Sequence, residues 1–193
     1  SLSAMAALVV AALDDRVGAF VCQVPAFGDA VGADDPDGIG LEAIRRFLAA
    51  GRVRRPEDAW VSTSVVSADQ STSPSALKPL TAYRWFIEYG GRYGTGWTNR
   101  VVFTGPKDAP DLDPFACAPR VRVSALFVIS PNDEMPGAVS SVSRAVFDRL
   151  AGPKELIEVD GGHFGIIEHP SVAFDHSSEV QAEWLLRTLR ATA

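Results

Sequence analysis

The stretch Ser124-Ala-Leu-Phe-Val-Ile-Ser-Pro-Asn-Asp-Glu-Met-Pro136 joins a short apolar run to a polar turn. Its uninterrupted apolar residues, 125–129, are typical of a strand that is buried on both faces of a parallel sheet. Pro, Asn and Asp then favour a turn, so Asp133 is predicted just beyond the carboxyl end of that strand. Because open parallel sheets bind ligands beyond the carboxyl ends of their strands, Asp133 is a candidate site residue.

A second apolar run leads to a histidine in the same way. Apolar residues recur at helical spacing between positions 139 and 150, and residues 154–159 predict a strand that ends at Gly161-Gly-His-Phe-Gly165. The paired glycines allow a sharp turn and leave His163 uncrowded. A polar group after each of two successive strands predicts that Asp133 orients His163 and fixes its tautomer. Each residue alone is also explained by ordinary turn or capping chemistry, so the prediction depends on the pair.

The first residues predict a buried helix followed by a strand. Residues 1–13 are small and apolar, Asp14-Asp-Arg16 ends that stretch, and residues 17–24 predict the strand. A serine in the first turn of a buried helix that precedes a parallel strand matches the second half of a nucleophile elbow. Ser1 is therefore a candidate nucleophile.

Together these segments resemble the C-terminal part of an α/β-hydrolase that is entered at the nucleophile. The resemblance rests on Ser1-Leu-Ser-Ala4 with the helix that leads into LDDRVGAFVCQVP (13–25), on SPNDEMP (130–136) and on VDGGHFG (159–165). Ser, Asp and His also occur in the order that the family uses. The resemblance implies an α/β fold, a partial α/β-hydrolase fold in which parallel strands carry flanking helices and a helical cap insertion.

The resemblance also assigns roles to individual residues. It implies a triad with Ser1 as nucleophile, Asp133 as acid and His163 as base, and it makes the backbone N–H of Leu2 an oxyanion donor. Glu134 and Asp160 are the alternative acids. The family's other oxyanion amide comes from a loop before the nucleophile, so we expect a half-built oxyanion hole in this chain. Losing one such donor typically costs on the order of a hundredfold or more in rate.

Three interpretations of Ser1 stay open. It is the nucleophile of a chain whose front half lies upstream, an incidental chain end, or an N-terminal nucleophile whose own α-amino group is the base. The family elbow is usually Gly-x-Ser-x-Gly, whereas Ser3 occupies the position of the last glycine here. The entering strand and its glycine would precede Ser1.

The domain organisation is predicted from the same resemblance. Residues 1–25 form the nucleophile helix and a core strand, 26–120 a cap or lid insertion, and 121–193 the C-terminal core with the acid and histidine loops. Within the insertion we predict a mobile loop near its start and helices at 41–48 and 80–89. In the C-terminal core we predict a helix at 178–190 that covers one face of the sheet. The insertion holds Trp60, Trp85, Trp97, Tyr83, Tyr89 and Tyr93. These rings could line an acyl or aromatic substrate pocket, or form a small core of the cap itself.

Composition narrows the classes of partner. The 193 residues include 18 Lys and Arg against 24 Asp and Glu, a net charge of −6, which argues against nucleic acid or an anionic membrane surface. The basic residues between 45 and 55 are interpreted as a solvated helix end and turn. No metal site is expected from the three histidines, and a triad needs no cofactor. Two cysteines make no disulfide framework, Cys22 is predicted in the core, and we expect a cytoplasmic location.

These observations predict a serine hydrolase that acts on an ester or related acyl bond of a small molecule. The alternative is a non-catalytic fragment or interaction module of the same fold. The strand at 17–24 would lack the neighbour that the family gives it, and an unpaired apolar edge is a template for another chain. We therefore expect the chain to pair with its missing N-terminal half or to self-associate.

Overall fold

The computed structural model describes residues 1–51, 59–91, 94–104 and 109–190, without the side chains of residues 59, 60 and 104. The strands are β1 (Ala19–Gln23), β2 (Ala59–Thr63), β3 (Val101–Thr104), β4 (Ser124–Ile129) and β5 (Lys154–Glu158). The helices are α1 (Leu2–Leu13), α2 (Ile39–Ala49), α3 (Leu80–Phe86), α4 (Pro114–Cys117), α5 (Ser140–Arg149), α6 (Gly162–Gly165) and α7 (Val172–Arg190). A π-helical segment, Ile87–Gly91, follows α3, and a 3₁₀ turn, Ala118–Arg120, follows α4.

A three-stranded parallel sheet in the order β1-β4-β5 forms the centre of the fold. Ala19 pairs with Ser124, and Ala125 pairs with Lys154, so all three strands run in the same direction. The predicted α/β arrangement of parallel strands with flanking helices is confirmed. The three predicted strands are found in the predicted order, with ends that differ by at most two residues.

The central strand β4 is buried on both faces, as its apolar run predicts. Phe127 packs into a cluster with Leu8 of α1 and Val146 of α5. Leu126 points to the other face, where Trp184 of α7 covers it. Because side chains alternate across a strand, this run supplies both cores of the sheet. Burying one such side chain fully contributes about 1.5–3 kcal/mol.

The helices on the two faces follow from different local signals. α1 is rich in alanine, the best helix former, and ends where the backbone N–H of Asp14 donates to the carbonyl of Val10. α7 begins at Val172, earlier than the predicted start at residue 178, and the hydroxyl of Ser171 accepts a hydrogen bond from the N–H of Phe174 in its first turn. A serine hydroxyl satisfies one of the N–H groups that have no partner within the helix.

The chain forms two compact units, residues 1–46 with 111–193 and residues 47–110. The second unit is narrower than the predicted insertion, 26–120. Leu41 and Ile44 of α2 and Phe115 of α4 are buried in the first unit's core, which explains why both flanks of the insertion belong there. Their apolar faces are covered by that core.

The second unit contains an element that the sequence analysis did not predict. Strands β2 and β3 pair antiparallel, with a register shift between Ala59 and Val61. The side-chain amide of Asn99 joins the segment before β3 to the segment after β2. Its oxygen accepts from the N–H of Val66, and its nitrogen donates to the carbonyl of Val66. The predicted helix at 80–89 is present as α3 and continues as the π-helical segment.

Several aromatic side chains of the second unit contact one another. The ring of Trp85 lies 5.1 Å from that of Phe86 and 5.0 Å from that of Tyr89, and Phe86 lies 5.6 Å from Trp97. All four side chains are half-buried, so they form an aromatic cluster of this unit and not a fully buried core. Tyr93, the side chain of Trp60 and the basic residues 52–55 lie outside the described residues. Among the described residues, none of the helices is both long and apolar enough to span a membrane.

Candidate active site

Two predicted site residues follow the ends of neighbouring strands. Asp133 comes after β4, and His163 comes after β5. Because these strands are parallel and adjacent, their carboxyl ends lie at one edge of the sheet. Ser1 lies at the same edge, since its nitrogen donates a 3.0 Å hydrogen bond to the carbonyl of Gln23, the last residue of β1.

Asp133 and His163 are in direct contact. Nδ1 of His163 lies 3.0 Å from Oδ1 and 2.9 Å from Oδ2 of Asp133. Both side chains are buried, with exposed fractions of 5% for His163 and 2% for Asp133. A carboxylate that accepts from Nδ1–H selects the tautomer whose Nε2 is unprotonated and able to act as a base.

Tight turns place the histidine. Gly161 and Gly162 have φ values of 149° and 70°, which side-chain-bearing residues rarely adopt. The N–H of Gly162 donates to the hydroxyl of buried Ser130 at 3.0 Å, and the N–H of His163 donates to Oε2 of Glu134 at 2.8 Å. The predicted histidine loop is therefore a short helix, α6, whose N-terminal N–H groups are bound by side chains of the acid turn.

The acid turn is itself held from both sides. Oδ1 of Asp133 accepts a 2.9 Å hydrogen bond from the N–H of Met135. The N–H of Gly137 donates to Oδ1 of Asp29, and the carbonyl of Gly137 accepts from the N–H of Gly28, each at 2.9 Å. Asp29 and its neighbours follow β1, so the loops after β1 and β4 are joined at this edge.

Three residues support the pair: sequence reasoning did not find Ser130 and Asp29, and it named Glu134 only as an alternative acid. Ser130, Asp29 and Glu134 each bind backbone N–H groups of the two turns. Ser130 and Glu134 lie in the quoted acid turn, so their proximity to Asp133 was a usable signal. Asp29 lies far from both turns in sequence, and nothing local connects it with them.

The chain also bends sharply where β1 ends. Val24 has a φ of 38°, which is rare for a β-branched residue, and its N–H donates to the carbonyl of Val128 at 2.8 Å. Backbone in sparsely populated conformations is common near functional sites. This bend directs the chain from β1 into the loop that contacts the acid turn.

Ser1 is the N-cap residue of α1, and its hydroxyl does not cap the helix. Burial lowers the pKa of its α-ammonium group, while Cys22 and Asp133 act in the opposite direction. The charge of Asp133 therefore acts at Ser1, but no hydrogen bond joins the Ser1 hydroxyl to His163 among the described residues. Leu2, the predicted oxyanion donor, has an exposed fraction of 76%.

The alternative acids occupy other positions. Glu134 binds the backbone of His163, and Asp160 is exposed. Among the described residues, Asp133 is the only acid whose carboxylate is within hydrogen-bond distance of Nδ1 of His163. The described residues also contain no cluster of three or more His, Cys, Asp or Glu side chains that could hold a metal ion.

A surface cavity of about 470 Å³ lies elsewhere in the first unit. Its lining includes Asp37, Glu42, Arg45 and Arg120, and none of Ser1, Asp133 and His163. Its walls carry charges of both signs, which favour ion pairs between these side chains and offer little apolar surface for an acyl group. We therefore place the candidate active site at the strand edge and not in this cavity.

Neither protein-family models nor curated proteins match the chain. The structure is similar to a monoacylglycerol lipase from Paleococcus ferrophilus, with a TM-score of 0.56, 19% identity, and coverage of 97% of this chain and 66% of that one. It is also similar to DcsB, solved in complex with its substrate analogue, with a TM-score of 0.59, 17% identity, and coverage of 97% and 62%. The chain thus has an α/β-hydrolase-like fold, as predicted, and spans slightly less than two thirds of the length of these neighbours.

Proposed function

We propose that the protein is a serine hydrolase that cleaves an ester or related acyl bond of a small molecule. The observation that carries the proposal is the contact of Asp133 with Nδ1 of His163 at the carboxyl edge of the sheet. Fold alone does not imply function, because this architecture serves many reactions. A buried histidine oriented by a buried carboxylate is, however, the base and acid of acyl transfer by a triad.

In the proposed reaction, the hydroxyl of Ser1 attacks the acyl carbonyl, and Nε2 of His163 accepts the hydroxyl proton. A bond forms between Oγ and the carbonyl carbon. The bond to the leaving oxygen then breaks, and His163 passes its proton to that oxygen. Water, deprotonated by the same imidazole, then attacks the acyl carbon; the bond between Oγ and that carbon breaks, His163 returns the proton to Oγ, and the acid is released. Asp133 stabilises the imidazolium without taking its proton.

The location of Ser1 supports its role as nucleophile. Its nitrogen donates a hydrogen bond to the carbonyl of Gln23 at the end of β1, the strand next to β4, so Ser1 lies at the same sheet edge as Asp133 and His163. The name of one structural neighbour, a monoacylglycerol lipase, agrees with an ester as the substrate class. The same catalytic groups also cleave amides and thioesters, which are therefore included among the related acyl bonds.

The test is labelling with a fluorophosphonate probe followed by peptide mapping. Wild-type chain should carry the adduct on Ser1, and His163→Ala should abolish it. Labelling of Ser1 that persists in His163→Ala would instead favour the α-amino group as the base. An adduct elsewhere, or none after the segment upstream of Ser1 is supplied, would contradict the hydrolase proposal.

Two observations favour a second candidate, an interaction module of the same fold. Among the described residues, β1 pairs with β4 on one side only, and the Ser1 hydroxyl makes no hydrogen bond to His163. A module of this kind would bind a partner at the open edge, with Ser1 as an incidental end. Absence of labelling together with capture of a strand at that edge would support it.

A further inference from the structure

We infer that Glu134 is a positioning residue that sets the orientation of His163, an inference that rests on the proposed function. Glu134 follows the predicted acid directly, and its Oε2 accepts a 2.8 Å hydrogen bond from the backbone N–H of His163. Two adjacent carboxylates therefore bind one residue. Asp133 holds the ring at Nδ1, and Glu134 holds the main chain from which the ring extends.

Two attachment points matter because the imidazole turns about only two side-chain torsions. A bond at Nδ1 alone limits the ring but leaves the backbone able to move with it. A second bond at the N–H removes that freedom, so Nε2 keeps a constant position relative to the nucleophile. Preorganisation of this kind decides rates, since a misplacement of about 1 Å can cost about a hundredfold.

The backbone before His163 needs such a restraint. Gly161 and Gly162 are the most permissive residues, and both have positive φ. Gly162 also provides the space for the carboxylate, because a Cβ there would lie 2.5 Å from Oε2 of Glu134. The hydroxyl of Ser130 binds Gly162, so Glu134 and Ser130 hold consecutive N–H groups.

Glu134 is exposed, which separates its role from that of a core residue. Its removal deletes little buried surface, so the fold should survive. The hydrogen bond has a charged acceptor, and such bonds are stronger than neutral ones. A substitution of Glu134 should therefore weaken the hold on the His163 backbone.

The experiment compares Glu134→Ala with Glu134→Gln in the whole chain. Glutamine keeps an oxygen that can accept from the N–H of His163, whereas alanine has none. Glu168→Ala is the matched control, since it removes another exposed carboxylate five residues beyond His163. Three quantities are measured: the rate of fluorophosphonate labelling, the hydrogen exchange rate of the His163 amide, and the downfield proton resonance of Nδ1–H.

We expect Glu134→Ala to slow labelling by roughly ten- to hundredfold. It should also speed exchange of the His163 amide by roughly tenfold or more and broaden the Nδ1–H resonance, while the melting temperature falls by only a few degrees. Glu134→Gln should retain most of the wild-type labelling rate, amide protection and Nδ1–H resonance. Glu168→Ala should match the wild type in all three. Unchanged exchange and resonance in Glu134→Ala, or a loss confined to thermal stability, would overturn the inference.

The measurements separate this inference from the proposed function. Exchange and resonance report on His163 whether or not Ser1 reacts. If the wild type fails to label while Glu134→Ala still loosens His163, the nucleophile assignment is wrong and the positioning stands. If the wild type labels on Ser1 and Glu134→Ala labels at the same rate, the hydrolase stands and Glu134 has no positioning role.

Discussion

Both carboxylate oxygens of Asp133 lie within 3.0 Å of Nδ1 of His163. The two residues are thirty positions apart in sequence and belong to turns after neighbouring parallel strands. With both side chains almost completely buried, water competes little for this contact. Such a contact acts on the tautomer and orientation of the imidazole, and its loss should affect reactivity more than folding.

Asp133→Asn tests the orienting role at nearly constant shape. The amide can donate to Nδ1 and so favour the wrong tautomer, which leaves Nε2 protonated. We expect the rate of fluorophosphonate labelling to fall by about 10³- to 10⁴-fold, a range set by the known cost of this change in serine proteases. The measurement is a time course of labelling with intact-mass detection.

Asp160→Asn is the matched control for that substitution. Asp160 lies in the histidine loop region and is exposed, and the sequence alone left it as an alternative acid. Its variant should label at the wild-type rate. If Asp160→Asn is the slower of the two, then Asp160 and not Asp133 is the acid that matters.

Gly162→Ala should disturb the histidine turn by two separate effects. A φ of 70° costs an L-residue about 1–2 kcal/mol, and the new Cβ displaces the carboxylate of Glu134. We expect slower labelling and a melting temperature lower by a few degrees. Thermal unfolding followed by circular dichroism measures the second effect.

Gly165→Ala provides the comparison, because a Cβ at Gly165 meets no atom within 4 Å. Both variants replace a glycine of α6 by alanine. The Gly165 variant should keep the wild-type melting temperature and labelling rate. Equal behaviour of the two variants would show that the turn does not need the conformation of Gly162.

The two cysteines should be unreactive in the folded chain. Burial raises the pKa of Cys22 to about 12, and burial together with nearby Asp113 and Asp35 raises that of Cys117 to about 12. Since the thiolate is the nucleophile, Ellman's reagent should find no reactive thiol at pH 8 and two per chain in denaturant. A thiol titrated in the native state would contradict this burial.

The same shifts set a direction for stability at alkaline pH. Between the ordinary thiol pKa of 9.0 and about 12, the unfolded chain releases protons that the folded chain retains. The thiol contribution to the free energy of unfolding is therefore fully present below pH 9.0 and falls as pH rises through this window. The urea concentration at the unfolding midpoint should therefore fall as pH rises above 9.0. Replacing Cys22 by Ala should make this decrease smaller.

The open side of β1 predicts association of the chain. Among the described residues, β1 pairs with β4 alone, and an unpaired strand edge is a template for another chain. Sedimentation velocity over a range of concentrations should show self-association of the chain. A monodisperse monomer with high thermal stability would contradict the prediction.

Local patterns were sufficient to predict the core strands and the pair of turns. The apolar run of β4 indicates a strand buried on both faces, and Pro, Asn and paired Gly mark where the strands end. The pairing of β2 with β3 was missed because it joins segments about forty residues apart, and nothing in either one selects its partner. The start of α7 was missed because its first turn depends on Ser171 and not on apolar spacing.

The sequence by itself determined the order of the three core strands, the turns after β4 and β5, and the choice of Asp133 and His163 as candidate site residues. Only the tertiary structure decided which carboxylate meets the imidazole, and that Glu134 binds the backbone of the same histidine. The physical reason is range. Periodicity and turn chemistry act over a few neighbouring residues, whereas the direction of a side chain in a turn depends on contacts with a segment thirty residues away.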